Sequence, residues 1–335
     1  MRVLLIRTSA LGDVVHALPV LSALRRSHPD AEIAWVVDEV FAPLLAGHES
    51  LDRRIVAPLR RARRRGARLA GARDTARFLR ELRAFRADVA LDLMGSHKGA
   101  TIARLSGARR RIGLDRRGRR EGSSALWINE PVAARGRHAV ERMLALLAPL
   151  GVPEAPPDFA PERFACGRDH VPSGRYAYVH PGAAWGNKRY PAESWGRVAA
   201  ALVREIGLEV RVGAAPGEEA LADAAVAASA GAATRLDLPD LDSLAGALRG
   251  ASVVLAGDTG ALHLAAALGR PVVGLYGPTD PDRHGPVGVA EVLVERLPCS
   301  FCHRRFSSTK PCLRALEPER VASRAAALAA ASTLD

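Results

Sequence analysis

Along the first 150 residues, short unbroken apolar runs alternate with stretches whose apolar positions recur every three to four residues. The runs "RVLLIR" (2–7), "EIAWVVDE" (32–39), "ADVALDLMG" (87–95) and "RRRIGL" (109–114) have the length and continuity of strands buried on both faces. Between them, 13–29, 73–86, 98–107 and 138–151 carry helical spacing, the last closed by a glycine stop at Gly151. Such alternation predicts a parallel sheet with helices on both faces. The proline-rich stretch 151–164 interrupts it. A second alternating series then runs from "YAYVHPG" (176–182) through "AESWGRVAAALVREIG", "LEVRVGAAPGEE" and "ASVVLAGDTGALHLAAALG" to "RPVVGLYGPTD" (270–280). The chain reads as α/β, with a domain over 1–155, a linker over 156–170 and a second domain over 171–335. The last helix is a candidate to pack back on the first domain. Two doubly wound domains on a short linker would enclose a cleft, and ligands of such sheets bind beyond the carboxyl ends of the strands.

The length of 335 residues agrees with two domains. No apolar run of about 18 residues is present to span a bilayer, and the N-terminus lacks the pattern of a signal peptide, so a cytoplasmic protein is expected. Four cysteines in a chain of this size do not suggest a disulfide framework. Charge is more informative once it is split. Residues 1–150 hold 29 Lys+Arg against 15 Asp+Glu, a balance of +14, whereas the remaining residues hold 19 against 21, a balance of −2. The excess concentrates in "RRARRRGAR" (60–68) and "RRRIGLDRRGRR" (109–120). Such a surface attracts nucleic acid, an anionic membrane or a phosphorylated ligand, or simply keeps the chain soluble. Aromatic residues are almost absent from these runs, which disfavours nucleic acid.

Candidate chemistry sits where strands turn into helices. In "SALGDVVHALP", Asp13 occupies the corner after the first strand, as a catalytic carboxylate or as a helix N-cap. In "VVLAGDTGALHLAAALG", a strand runs into Asp258, Thr259 and Gly260, with His263 in the first helical turn. Free N–H groups there suit a diphosphate, although Asp258 could be a cap alone. The spacing is neither a Walker loop nor G-x-G-x-x-G. "HPGAAWGNKRYP" delivers Lys188, either a mobile counter-charge for phosphate or a solvated loop lysine. Glu218 of "GAAPGEEA" is suited to ribose hydroxyls or to a structural place in a first helical turn. The segment "CSFCHRRFSSTKPC" has one C-x2-C pair, Cys299 and Cys302, followed by His303 and Cys312. Only His303 or the distant Cys166 could complete a four-ligand zinc site, so a reduced structural cluster is the favoured reading.

Taken in order, "SALGDVVHALP", "HPGAAWGNKRYP", "GDTGALHLAAALGRPVVGLYGPTDP" and "PCSFCHRRF…KPCLRALEPERV" resemble glycosyltransferase family 9, the ADP-heptose:lipopolysaccharide heptosyltransferases. "WVVDEVFAPLL", "GSHKGA" and "HAVERMLALL" resemble its heptosyltransferase I branch most. The resemblance implies a GT-B fold, two facing Rossmann-like domains with the acceptor on the first and ADP-heptose on the second. It implies inverting transfer of heptose to the Kdo of Kdo2-lipid A, with Asp13 as general base and no metal or cofactor. Donor contacts would come from Ala183, Ala184, Lys188, Glu218, Asp258, Thr259, Gly260 and His263. Acceptor contacts would come from Gly12, Arg60, Arg61, Arg63, Arg64, Lys98, Arg120, His138 and Arg142, with Arg119 and Arg120 alternatively touching membrane phospholipid. The same likeness places the protein peripherally on the cytoplasmic face of the anionic inner membrane, without nucleic acid. A later heptosyltransferase acting on a heptosylated core, or a nucleotide-sugar-binding module without catalysis, are the alternatives; Asp13 is superfluous to binding alone.

Overall fold

The computed structural model describes residues 1–58 and 68–331. It divides into two compact units, Met1–Cys166 and Gly167–Asp335, and the division falls inside the 156–170 segment. In the first unit six parallel strands, β1 (Arg2–Ile6), β2 (Glu32–Asp38), β3 (Arg53–Ala57), β4 (Val89–Asp92), β5 (Arg110–Leu114) and β6 (Glu130–Val132), lie in the order β3-β2-β1-β4-β5-β6. In the second, β7 (Tyr176–His180), β8 (Glu209–Val212), β9 (Ala233–Arg235), β10 (Val253–Gly257), β11 (Val272–Tyr276) and β12 (Ala290–Val294) lie in the order β12-β11-β10-β7-β8-β9, again all parallel. Each sheet is doubly wound, and its order reverses beside its first strand. The switch lies between β1 and β4 in one unit and between β7 and β10 in the other.

These inner strands are the unbroken apolar runs of the sequence. Val3 to Ile6, Tyr176 to His180 and Val253 to Gly257 are buried throughout because helices cover both faces. The outer strands β3, β6, β9 and β12 are not among the predicted elements. They are short and partly exposed, as in the alternating "RRIVA" of β3, so no continuous run marks them.

The helices of the first unit are α1 (Leu11–His16), α2 (Leu18–Ser27), α3 (Arg68–Ala84), α4 (His97–Leu105) and α5 (Ala139–Leu144). The single helix expected over 13–29 is thus two, beginning earlier and breaking at Ala17. Pro19 has no N–H to bond back to the preceding turn, which breaks the ladder there. The helix expected over 138–151 likewise ends early. Past Leu144 it tightens into a 3-10 turn with Pro149 inside, and Gly151 closes it at φ 73°.

The second unit has α6 (Ala192–Ile206), α7 (Glu219–Ala228), α8 (Leu241–Gly250), α9 (Gly260–Ala267), α10 (Pro281–His284), α11 (Pro311–Arg314) and α12 (Pro318–Ala331). Val321, Ala325 and Ala329 of α12 enter one core with Trp195, Val198 and Leu202 of α6 and with Val253 and Leu255 of β10. The last helix therefore packs within its own unit. Residues 156–166 are no free linker either: Phe164 is buried edge-on against His48, and Arg163 donates to Ser50 at 2.8 Å, both within the first unit. No helix among the described residues is long and apolar enough to cross a membrane.

Candidate active site

In the first unit the candidate residues gather at the β1/β4 switch. Arg7 and Thr8 prolong β1. The mostly buried Arg7 guanidinium places Nη2 2.5 Å from Asp13 Oδ1, and Nη1 donates to the Leu93 carbonyl beyond β4. Asp13 is the third residue of α1, after Gly12, and its Oδ2 accepts the Ala10 N–H at 3.1 Å. Ala10 is the N-cap, so the cap reading of Asp13 is corrected. The carboxylate instead closes back on the chain entering the helix, with a fixed donor on each oxygen. Its side chain is still 39 % exposed, open to a substrate. Lys98, at the start of α4, donates to Thr8 Oγ1 at 3.4 Å. An acid and a cation thus reach neighbouring residues of one strand extension from opposite sides of the switch.

Three further candidates, His138, Arg142 and Arg120, border this cluster. His138 caps α5, accepting the Val140 N–H at 3.3 Å, and its ring lies edge-on to His16 at 5.4 Å. Arg142 donates to the Gly118 carbonyl at 2.5 Å and fastens the turn that carries the exposed Arg120. Arg119, a candidate phosphate or phospholipid contact, belongs to the scaffold: its guanidinium is fully buried, ion-paired to Asp92 at the end of β4 and bonded to Ser124 Oγ at 2.8 Å. Burial pushes the Asp92 carboxyl up, against the opposing pull of Arg119 and the Met94 N–H. Arg60, Arg61, Arg63 and Arg64 lie outside the described residues.

In the second unit the loop after β7 meets the end of β10. Lys188 Nζ is 2.5 Å from Asp258 Oδ2, and His263 Nε2 is 3.2 Å from Asp258 Oδ1. Burial alone would raise the Asp258 pKa. The His263 hydrogen bond and the Lys188 charge outweigh it and hold the carboxyl well below the usual range. The two chain segments touch closely. A Cβ on Gly257 would lie 2.5 Å from the Lys188 carbonyl, so glycine is required at that position. Thr259 is the N-cap of α9, its hydroxyl facing the Leu262 N–H at 3.5 Å, and Gly260 begins the helix. The other predicted donor contacts lie beside this cluster. Glu218 stands against Gly182, hydrogen-bonded to the backbone of buried Ala183 and 3.5 Å from Arg189; Ala184 is exposed. Burial raises the Glu218 pKa, with Arg189 opposing.

Several residues that shape the site were not among the candidates. Arg7 orients Asp13, and Arg189 ties the Ala183 carbonyl (2.9 Å) to Glu218. Asn187 is fully buried, donates to the Arg304 carbonyl at 2.9 Å and accepts the Phe306 N–H at 3.2 Å. The segment after Cys302 therefore clamps the loop that carries Lys188, and Thr309 adds a 2.8 Å bond to the Arg189 carbonyl. Trp185 is flanked by Lys188 Nζ and the Arg305 guanidinium, 4.5 and 4.8 Å from its ring centre. A charge closing a buried strand marks Arg7; no sequence pattern marks the clamp, which joins residues more than a hundred positions apart. All four cysteines are free thiols. Burial, then the neighbouring Cys299 and Cys302, pushes the Cys312 thiol up. Among the described residues no three His, Cys, Asp or Glu side chains are grouped as metal ligands would be.

Comparison with known proteins identifies the family and the fold. The chain is 34 % identical over 98 % of its length to lipopolysaccharide heptosyltransferase 1 of Pseudomonas aeruginosa, of which it covers 98 %. The solved structure of E. coli heptosyltransferase WaaC with ADP superposes with a TM-score of 0.82, at 30 % identity, over 97 % of this chain and 98 % of that one. WaaC with ADP-2-deoxy-2-fluoro heptose gives 0.76, at 32 % identity, over 89 % and 94 %. The fold is accordingly GT-B, as the resemblance implied. A family profile, glycosyltransferase family 9 (heptosyltransferase), matches residues 75–313. With two doubly wound units, each gathering polar groups at its switch point, and with this degree of likeness, the chain belongs to glycosyltransferase family 9, the heptosyltransferases.

Proposed function

We propose that the protein transfers L-glycero-D-manno-heptose from ADP-heptose to the Kdo of Kdo2-lipid A, with inversion at the anomeric carbon. The observation that carries the reading is the Lys188–Asp258–His263 cluster at the N-terminus of α9, beside the β7/β10 switch. A diphosphate is the ligand such a place suits. Backbone N–H groups of the first helical turn, with no Cβ at Gly260, can donate to anionic oxygens, and Lys188 can exchange Asp258 for phosphate. Glu218 is an acceptor for ribose hydroxyls. The heptosyltransferases named above are proteins of this length, and one of them binds ADP.

In the proposed reaction the acceptor hydroxyl attacks the anomeric carbon as the bond to the ADP oxygen breaks, and its proton passes to Asp13. A single carboxylate suffices for this inverting displacement, and transfer is late because an ordinary carboxylate is a weak base toward an alcohol. Arg7 and the Ala10 N–H keep Asp13 in one orientation while its exposed part meets the substrate. Charge developing on the departing diphosphate falls on α9 and Lys188, and the reading needs no metal ion. Lys98, Arg120, His138, Arg142 and the 60–64 arginines are assigned to the phosphates and carboxylates of the acceptor. The basic first half also draws the enzyme to the anionic cytoplasmic face of the inner membrane, an attraction that weakens with salt.

The test is ADP release from ADP-heptose with Kdo2-lipid A, repeated with a heptosylated core. Turnover on the Kdo acceptor alone is the expected result. Turnover only on the heptosylated core would assign a later step of core assembly, and ADP binding without turnover on either would leave a non-catalytic nucleotide-sugar module.

A further inference from the structure

The outer edge of the first sheet bears an apolar ridge that the proposed chemistry does not use. The 3-10 helix Gly122–Trp127 leads into β6, and at its end Leu126 is 87 % exposed and Trp127 44 % exposed. Pro131 of β6 and Ala133 just past its end are also exposed, and among the described residues β6 is the edge strand, paired with β5. Single exposed hydrophobes are ordinary, but an adjacent Leu and Trp at a strand edge mark a contact surface.

The backbone beneath the ridge is fixed. Arg111 Nε donates to the Trp127 carbonyl at 2.8 Å, Asn129 Oδ1 accepts the Arg111 N–H at 2.7 Å, and Asn129 Nδ2 donates to the Arg109 carbonyl at 2.7 Å. The two apolar side chains are therefore held outward by an ordered frame. That frame is basic. Residues 109–130 contain seven arginines and three acids, and Glu130 is engaged by Arg110 through two 2.8 Å bonds. Exposed Arg109 adjoins Asn129 at one end, and at the other Arg116 packs against Gly122, with exposed Arg117 next to it.

An apolar tip framed by cations matches an anionic bilayer: the rings and branched chains enter the acyl boundary while guanidinium groups meet lipid phosphates. We propose that Leu126 and Trp127 form a membrane-inserting wedge that docks the protein on anionic phospholipid. This rests on the reading that the acceptor is presented in a bilayer, and it assigns insertion to two residues where charge alone would give only surface attraction.

The test uses the full chain with vesicles of phosphatidylcholine, with and without phosphatidylglycerol, and neither donor nor acceptor present. Leu126→Ser combined with Trp127→Ser is expected to lower partitioning onto anionic vesicles at least about tenfold. Thermal midpoint and solution mass should not change, and neither should transfer to a water-soluble Kdo acceptor. Bromine-labelled lipid should quench wild-type tryptophan emission, and the Trp127→Phe variant should lose most of that quenching. Partitioning unchanged within twofold, equal quenching in both proteins, or a dimer that the double variant dissociates would overturn the proposal, the last by assigning the ridge to a second copy. Failed heptosyl transfer leaves the vesicle result untouched, so the two readings fail separately.

Discussion

Each unit places a carboxylate near the carboxyl end of the strand across its switch point, and the two serve in opposite ways. Asp92 ends β4 and Asp258 follows β10, in each case the strand across the switch from the first, and a helix starts just beyond. Asp92 and its partner Arg119 are both fully buried, and burial wins: the carboxyl is pushed up. Asp258, 11 % exposed, has Lys188 and His263 on its two oxygens, and the partners win: the carboxyl is held well down. The first pair pins a turn, whereas the second presents a cation beside a helix N-terminus. Fold position alone therefore does not assign a role; the partner and its access to solvent do.

Breaking the first pair is expected to show as stability. Asp92→Ala leaves the Arg119 guanidinium buried without its counter-ion and should cost about 3–5 kcal/mol of unfolding free energy. Chemical denaturation checks this, and residual activity of the folded fraction should stay near wild type. Breaking the second should show as catalysis. Lys188→Ala is expected to lower kcat/KM by about 10²–10³-fold, with a smaller loss of stability, about 1–3 kcal/mol, because His263 still bonds the Asp258 carboxylate that loses its ammonium partner. Steady-state ADP release together with a thermal midpoint separates the two effects.

Arg7→Met probes the exposed carboxylate of the first unit, Asp13. With the guanidinium gone, Asp13 loses its charged partner and keeps the Ala10 N–H, and a drop of about tenfold in kcat with KM for ADP-heptose unchanged is expected from lost orientation. The smallest effect concerns pH and both units at once. Burial lowers His48 in the first unit and His180 in the second from 6.5 to about 4. Between about 6.5 and 4 the unfolded chain binds protons that the folded protein does not, so stability falls as pH is lowered through that window. Each histidine should contribute about 1 kcal/mol of loss by pH 5.5. Denaturant midpoints at pH 7.5 and 5.5 measure it, and His48→Gln should flatten the profile by roughly half.

Much of the fold was legible because the inner strands are buried on both faces, and unbroken apolar runs such as "RVLLI" and "VVLAG" can be little else. The edge strands were not legible, since half-exposed strands of three to five residues carry no run. The break at Pro19 was present in the sequence, yet the apolar spacing on both sides masked it. At the site, Asp13, Lys188, Asp258 and His263 stood out as polar residues at strand-to-helix corners. Arg119 misled, because its neighbours are exposed arginines and nothing local indicates that its partner is Asp92, 27 positions earlier. Asn187 and the clamp after Cys302 depend on contacts across 117 to 120 residues, which no local pattern encodes.

Asp13→Asn in single-turnover transfer, with ADP affinity measured by calorimetry, tests the proposed base most directly. The substitution keeps the size of the side chain and an acceptor oxygen while removing its basicity. If Asp13 is the base, the transfer rate is lowered about 10²–10⁴-fold with ADP affinity within twofold of wild type. A variant that transfers heptose within about tenfold of wild type would contradict it.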